Sequence, residues 1–314
     1  YGELWHRAFI VAVDSPHVNY ILSCGHNGDA AAGVAGIWRH ADARVRGMKR
    51  VQVEPHQSVT GGVAAEWIPI KPKTDAAFLY GIIHHILIEC NWREICDVER
   101  LENDSNCPYL IGPNGYWMRD PKTRKPLIYD LDDQMPKPFD TNIQRPGMEG
   151  KFIVSGVEIG ADEDEWVHNK IEVTTSFQHL IEHIREYTPE WAEEQSDVPA
   201  DRIRAVATEF VSNACIGQTI EVEGEEMPFR PVAILLGKTV NNGWGGYNCC
   251  WARTMLLTLV GALEVPGGNV GSNVKLNRPA DSRQKSAKIG PDGFMEYPFN
   301  ETSKSDWQKD INKK

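Results

Sequence analysis

Residues 53–78 read VEPHQSVTGGVAAEWIPIKPKTDAAF. The preceding RVQV completes a buried strand that stops at Glu54-Pro55-His56. Asp75 opens an amphipathic run, DAAFLYGIIHHILIE, that predicts a helix with Thr74 or Asp75 at its N-cap. Between them lie a Ser/Thr run, a Gly pair and a second short strand, EWIPI. A strand ending beside a helix start, with an acidic residue at that start, is the arrangement in which α/β proteins place nucleotide ligands.

The pattern extends in both directions. Upstream, NYILSCG (residues 19–25) predicts a buried strand, and HNGDAAAGVAGIWRHADARVRGM predicts a helix with Ile37, Ala41 and Val45 on one face, ended at Gly47. Strand, helix and strand span a length usual for a parallel crossover. Parallel strands are expected at 19–25, 50–54, 66–70 and, much later, near 232–236 (VAILL). From Asn91 to about Lys170 the text is rich in Pro, Gly, Asn and aromatics and predicts hairpins and loops; GKFIVSGVEIG alternates as a strand pair would. Helices return at TTSFQHLIEHIREY, at a segment with Pro189 in its first turn, and at a segment after Pro199. The expected fold is α/β: a Rossmann-like parallel sheet flanked by helices, an irregular loop- and hairpin-rich excursion, and a second α/β part. The expected division is 1–100 (dinucleotide-binding α/β half), 101–170 (excursion), 171–230 (helical return), 231–280 (strand, Gly/Asn loop and helix) and 281–314 (polar tail that frays).

The 314 residues are 41% apolar and 25% charged with a formal net charge of −11. Such an acidic chain is not a general nucleic-acid binder, which needs local positive charge. No run of about 18 apolar residues is present to span a bilayer, and no basic-then-apolar signal segment opens the sequence. Tyr1 in place of Met reads as a fragment or a processed product. The seven cysteines, an odd number without CxxC spacing, read as packing thiols, adjacent Cys249 and Cys250 included; they predict neither a disulfide framework nor a metal site.

Three strand ends carry usable chemistry. After the first, Gly25 and short polar residues let backbone N–H groups approach an anion. After the second, Glu54 or His56, with Ser58 and Thr60, suits a ribose or phosphate. After VAILL, Gly237 bends the chain, Lys238 adds a cation, and Asn241 and Asn242 add amides. Neither GxGxxG nor GxxxxGK[ST] is present, which argues against an NAD or generic ATP site.

The blocks YILSCGHN, VQVEPHQSVTGGVAAEWIPIKPKTDAAF and VAILLGKTVNNG…VPGGNVG, in that order, resemble the molybdopterin oxidoreductases of the DMSO reductase family, which include formate dehydrogenases and polysulfide, thiosulfate and tetrathionate reductases. The resemblance runs from about Asn19 to Asn273; it is specific for the superfamily and uninformative about the substrate. It implies a bis(molybdopterin guanine dinucleotide) cofactor with molybdenum or tungsten, two-electron oxygen-atom or hydride-type transfer on a small substrate, and a partner in the form of an iron–sulfur electron-transfer subunit. It implies that Gly25, His26 and Asn27 line a diphosphate, that Glu54, Pro55 and His56 meet ribose or guanine, and that Asp75 accepts hydrogen bonds from guanine. It further implies that Gly237, Lys238, Thr239, Val240 and Asn241 approach the pterin and metal. Family Gly-Ser-Asn is Gly-His-Asn here, Asp-Pro-Arg is Glu-Pro-His, and Pro-Gly-Thr-Asp is Pro-Lys-Thr-Asp, where Lys73 restores a cation. The resemblance places the metal's protein ligand and an iron–sulfur cysteine cluster before Tyr1, so no catalytic residue or metal ligand is assigned here, Cys24 included, and this stretch alone is expected to be inactive. A redox-neutral relative (hydratase or transhydroxylase) and a non-catalytic nucleotide-binding scaffold are the alternatives. The cytoplasm, or the periplasm after export in folded form, suits the family.

Overall fold

A computed structural model describes residues 11–31, 33–159, 165–241, 245–271, 288–289 and 295–296. Of the expected polar tail at 281–314 only Lys288–Ile289 and Met295–Glu296, an antiparallel pair, are described, and Asn242 lies outside the described residues. The chain divides into two compact units, Tyr1–Ser105 with Leu180–Val274, and Asn106–His179 with Lys275–Lys314.

The first unit is built on a four-stranded sheet. Its strands are β1 (Tyr20–Cys24), β2 (Lys49–Val53), β3 (Glu66–Ile68) and β4 (Val232–Leu236). Their order is β4-β1-β2-β3 and every pairing is parallel, with Leu22 between Ile234 and Val51. All five residues of β1 are buried, as expected for a central strand covered on both faces. β1, β2 and β3 run outward in chain order, whereas β4 returns to the other side of β1. The strand order therefore reverses between β1 and β4, the place in such sheets where ligands bind beyond the carboxyl ends of the strands.

Helices of this unit include α1 (Gly33–Val45), α2 (Val59–Val63), α3 (Asp75–His84), α4 (Ala200–Ser212) and α5 (Gly246–Leu259), and one at Pro189–Ser196. The sequence placed Ile37, Ala41 and Val45 on one apolar face of α1. That face turns outward: Val45 is 89% exposed and Trp38 68% exposed. The helix is anchored instead by Ala43, which packs with Val18, Ile21, Met48 and Ala233. Spacing identifies a face, but which side another element covers depends on the neighbours. Near α3, a β-carbon on Gly81 would lie 2.9 Å from the β-carbon of Ala192, so α3 and the Pro189–Ser196 helix meet almost backbone to backbone. Tyr20 reaches α4, edge-on to Phe210 at 6.4 Å.

The outer edge of β4 is closed by a side chain. Asn269 is 1% exposed. Its Oδ1 accepts from the Ile234 N–H at 2.8 Å and its Nδ2 donates to the Ile234 carbonyl at 3.0 Å. The amide thus does what a neighbouring strand would do. Its own backbone pairs antiparallel with Val11–Val13.

The second unit is antiparallel. Leu110–Ile111, Glu165–Thr175, Lys151–Ile159 and Met118–Arg119 form a sheet in that order, beside a hairpin of Leu127–Asp130 with Met135–Pro138. Its core is Leu110, Met118, Leu127, Val154 and Val173. GKFIVSGVEIG supplies one strand of a pair, and its partner comes from Glu165–Thr175. Thr175 Oγ1 accepts from the Gln178 N–H at 3.0 Å, the cap expected at the Thr/Ser start of the next helix. Among the described residues no helix is long and apolar enough to cross a membrane.

Candidate functional site: the strand-end crevice

The loops after β1 and β4 touch. The Gly237 N–H donates to the Cys24 carbonyl at 2.8 Å. A β-carbon on Gly237 would fall 1.8 Å from the Gly25 carbonyl oxygen, and one on Gly25, whose φ is +60°, would fall 2.7 Å from Val240 Cγ2. Only glycine permits this approach. The Gly25 N–H is tied to the Val53 carbonyl at 2.8 Å. The next two N–H groups, of His26 and Asn27, have no hydrogen-bond partner among the described residues.

The rest of the loop is fixed from the side. Asn27 Oδ1 accepts from Thr60 Oγ1 at 2.9 Å, and Thr60 Oγ1 accepts from the Asp29 N–H at 2.9 Å. Thr60, read from the sequence as a ligand for ribose or phosphate, thus holds the Asn27 loop in place. Glu54 also turns inward. It is 4% exposed; Oε1 accepts from the Ser58 N–H at 2.7 Å and Oε2 from Gln52 Nε2 at 2.9 Å. Its carboxylate shapes the start of α2, where Ser58 Oγ caps the Gly61 N–H at 3.3 Å. Pro55 and His56 stand exposed at the end of β2.

Lys73 and Asp75 enter from the loop before α3. Lys73 adopts φ +70° and its Nζ donates to the Thr239 carbonyl. This contact ties the KPKTD block to the β4 loop. Asp75 is 6% exposed. Among the described residues no side chain bonds its carboxylate; burial raises its pKa, opposed by its own backbone N–H and by Lys73. It lies electrostatically close to Cys24 and Cys249, whose thiols burial pushes up, Cys249 to about 12. All seven cysteines are free thiols.

In the β4 loop, Lys238 and Thr239 are exposed and Val240 is buried against Gly25. Asn241 is used internally: Nδ2 donates to the Leu236 carbonyl at 3.1 Å and Oδ1 accepts from Cys250 Sγ at 3.2 Å. The structure thus brings Gly25–Asn27, Lys73, Asp75, and Gly237–Thr239 together at the β1/β4 strand ends. It turns Glu54 and Asn241 into scaffold.

One cluster escaped the sequence reading. Arg50, on β2, is 2% exposed. Its Nη2 donates to Ser23 Oγ at 2.9 Å and to the His26 carbonyl at 3.4 Å; its Nη1 meets Asp29 Oδ2 at 3.3 Å and the His40 ring nitrogens at 2.9 Å. The one available signal was an arginine inside an otherwise buried strand, KRVQV, where a charge requires partners.

A parallel sheet whose strand order reverses between β1 and β4, with two glycine-built loops meeting at that point, defines a doubly wound α/β protein. The molybdopterin oxidoreductase family model matches residues 11–314, and the chain belongs to that family. It is similar to a sulfite dehydrogenase subunit from Allochromatium vinosum (28% identical over 249 residues, 71% of this chain and 24% of that protein). It is similar also to the thiosulfate reductase molybdopterin-containing subunit PhsA of Salmonella typhimurium (24% identical over 219 residues, 70% of this chain and 19% of that protein). The chain therefore spans about a quarter or less of the curated relatives it matches. Among solved structures, acetylene hydratase from Pelobacter acetylenicus superposes with a TM-score of 0.47 at 17% identity, covering 79% of this chain and 22% of that one.

Proposed function

We propose that this chain forms part of the catalytic subunit of a molybdenum or tungsten oxidoreductase and supplies one guanine dinucleotide cradle of its pterin cofactor. The carrying observation is the pairing of two N–H groups, on His26 and Asn27, with a buried carboxylate, Asp75; among the described residues nothing accepts from the former and no side chain bonds the latter. Backbone N–H donors suit a diphosphate. A carboxylate held away from water suits the paired N–H donors of guanine and is mismatched to adenine. The close approach of Gly237 to the Gly25 carbonyl, with Val240 packed on Gly25, fixes the loop after β1 so that the His26 and Asn27 backbone is held at the strand ends. The residues present therefore fit the group.

When bound, such a cofactor supplies two-electron chemistry at its metal. The chain's own residues bind and orient. His26 and Asn27 hold phosphate oxygens, Asp75 reads the base, and Lys73 and Lys238 add positive charge to an otherwise acidic protein. Lys73 also holds the Thr239 carbonyl and with it the β4 loop. The names of the two curated relatives favour a small sulfur oxyanion as substrate, and their designation as subunits favours a separate electron-transfer partner.

The test is nucleotide and metal content. The full-length protein, purified from a host competent in cofactor synthesis, is expected to release guanine nucleotide and pterin on acid treatment and to carry molybdenum or tungsten. Asp75→Ala removes a charge-assisted contact and should weaken retention by about 1.5–3 kcal/mol, roughly ten- to hundredfold. Wild-type protein without pterin, or Asp75→Ala protein with undiminished nucleotide after dialysis, refutes the reading.

A further inference from the structure

We infer that Arg50 is a positioning residue that holds the His26 imidazole neutral with its proton on Nε2, so that the loop after β1 presents an uncharged N–H donor to the strand-end crevice. The assignment of that donor to a phosphate oxygen rests on the function proposed above; the control of His26 by Arg50 does not.

Valence fixes the ring proton. Arg50 Nη2 lies 3.5 Å from His26 Nδ1. A guanidinium only donates, so Nδ1 is the lone-pair nitrogen and the ring proton sits on Nε2. Nε2 has no partner among the described residues, and it is not one of the sealed unpartnered atoms, which in this neighbourhood are Arg50 Nε and Gln52 Oε1. The ring cannot rotate freely. A β-carbon on Gly28 would lie 2.6 Å from His26 Cε1, so the imidazole rests directly on that glycine. The His26 carbonyl accepts from Arg50 Nη2 at 3.4 Å, from Gln52 Nε2 at 3.4 Å and from the Gly28 N–H at 2.9 Å.

Burial and the surrounding charges together explain the ring's neutrality. Burial disfavours the cation most and brings His26 down to about 4; Arg50 on β2 and His40 on α1 oppose it further, and only Asp29 favours it. Asp29 is already engaged by His40 at 2.9 Å and by Arg50 at 3.3 Å. Glu54 is held by Gln52 and the Ser58 N–H. His40 takes the complementary tautomer: Nδ1–H donates to Asp29 Oδ1, leaving Nε2 to accept from Arg50 Nη1 at 2.9 Å. Arg50 thus sets the tautomer of His26, while the Asp29 carboxylate sets that of His40. The consequence is a hydrogen-bond donor that keeps its charge state across physiological pH, unlike an ordinary histidine, which titrates there.

The experiment is two-bond 1H–15N spectroscopy of the chain carrying 15N-labelled histidine, with GDP as probe. Wild-type His26 is expected as the Nε2–H tautomer at pH 7, without titration between about pH 5.5 and 8. In Arg50→Met the tautomers mix and the midpoint rises toward the ordinary value of about 6.5; Arg50→Lys, which keeps a buried cation, holds the depressed midpoint if Arg50→Met fails to fold. GDP is expected to shift the Nε2 signal. Its affinity should be flat with pH in the wild type, rise on acidification in Arg50→Met, and fall roughly three- to tenfold in His26→Ala, as for one hydrogen bond. An Nδ1–H tautomer, or an ordinary titration in the wild type, overturns the inference. A wild-type Nε2–H tautomer with no response to GDP supports the inference and removes the dinucleotide reading instead.

Discussion

Gly237 and Gly25 are in backbone contact: a β-carbon on Gly237 would sit 1.8 Å from the Gly25 carbonyl oxygen and 3.0 Å from the His26 nitrogen. No rotamer relieves a clash with backbone, so β4 and β1 can end side by side only without that carbon. Gly237→Ala is expected to cost about 1–3 kcal/mol, read as a fall in urea midpoint. Gly62→Ala is the control, because nothing lies within 4 Å of its β-carbon position and alanine is favoured over glycine in helices such as α2. Equal stability of the two variants would refute the contact.

Asp97 and Arg230 form a buried ion pair in the first unit. Arg230 Nη2 and Nε donate to Asp97 Oδ2 at 2.6 and 2.8 Å, and Asp97 Oδ1 also caps the Arg100 N–H at 3.3 Å. Asp97→Ala strands a buried guanidinium and should cost about 3–5 kcal/mol. Asp132→Ala breaks a contact between exposed side chains, Arg145–Asp132, and should cost less than about 1 kcal/mol. Chemical denaturation of both variants checks the contrast.

Asp75 carries a conflict between stability and binding. Its folded pKa is raised, chiefly by burial. A carboxyl that binds its proton more tightly when folded stabilises the fold at low pH and loses that contribution as pH rises through the folded value. Asp75→Asn is therefore expected to raise stability at pH 7 in the absence of cofactor, with the gain vanishing as pH falls into the carboxylate range. Urea midpoints at the two pH values measure it; a loss of stability at pH 7 contradicts the assignment.

Asn269→Leu should leave the Ile234 N–H and carbonyl without the two bonds they now make. Unpaired buried polar groups cost about 1–3 kcal/mol each. Hydrogen exchange of the Ile234 amide is the direct readout, and it should accelerate in the variant beyond what the global loss of stability explains. Unchanged protection of that amide would mean that another group closes the β4 edge.

The strands were legible because buried parallel strands are short apolar runs: YILSC, RVQV, EWI and VAILL stand out from their flanks, and the glycines after YILSC and VAILL mark where backbone must turn. The blocks that carry the family likeness were legible for the same reason, since strand ends and helix starts have strong local rules. Local rules also place Thr60, Glu54 and Asn241 near a ligand, but they do not say which way a side chain turns. Each found a nearer partner within the protein: Asn27 for Thr60, the Ser58 N–H for Glu54, and the Leu236 carbonyl for Asn241. The apolar stripe of α1 was read correctly as a face and faces outward, because burial depends on what packs beside it. The Arg50–Asp29–His40–His26 cluster unites positions 24 residues apart at most in sequence, yet no periodicity links them. Their partnership exists only once β1 and β2 lie parallel and a buried guanidinium must find acceptors in its own neighbourhood, which is a condition of tertiary structure and not of chain order.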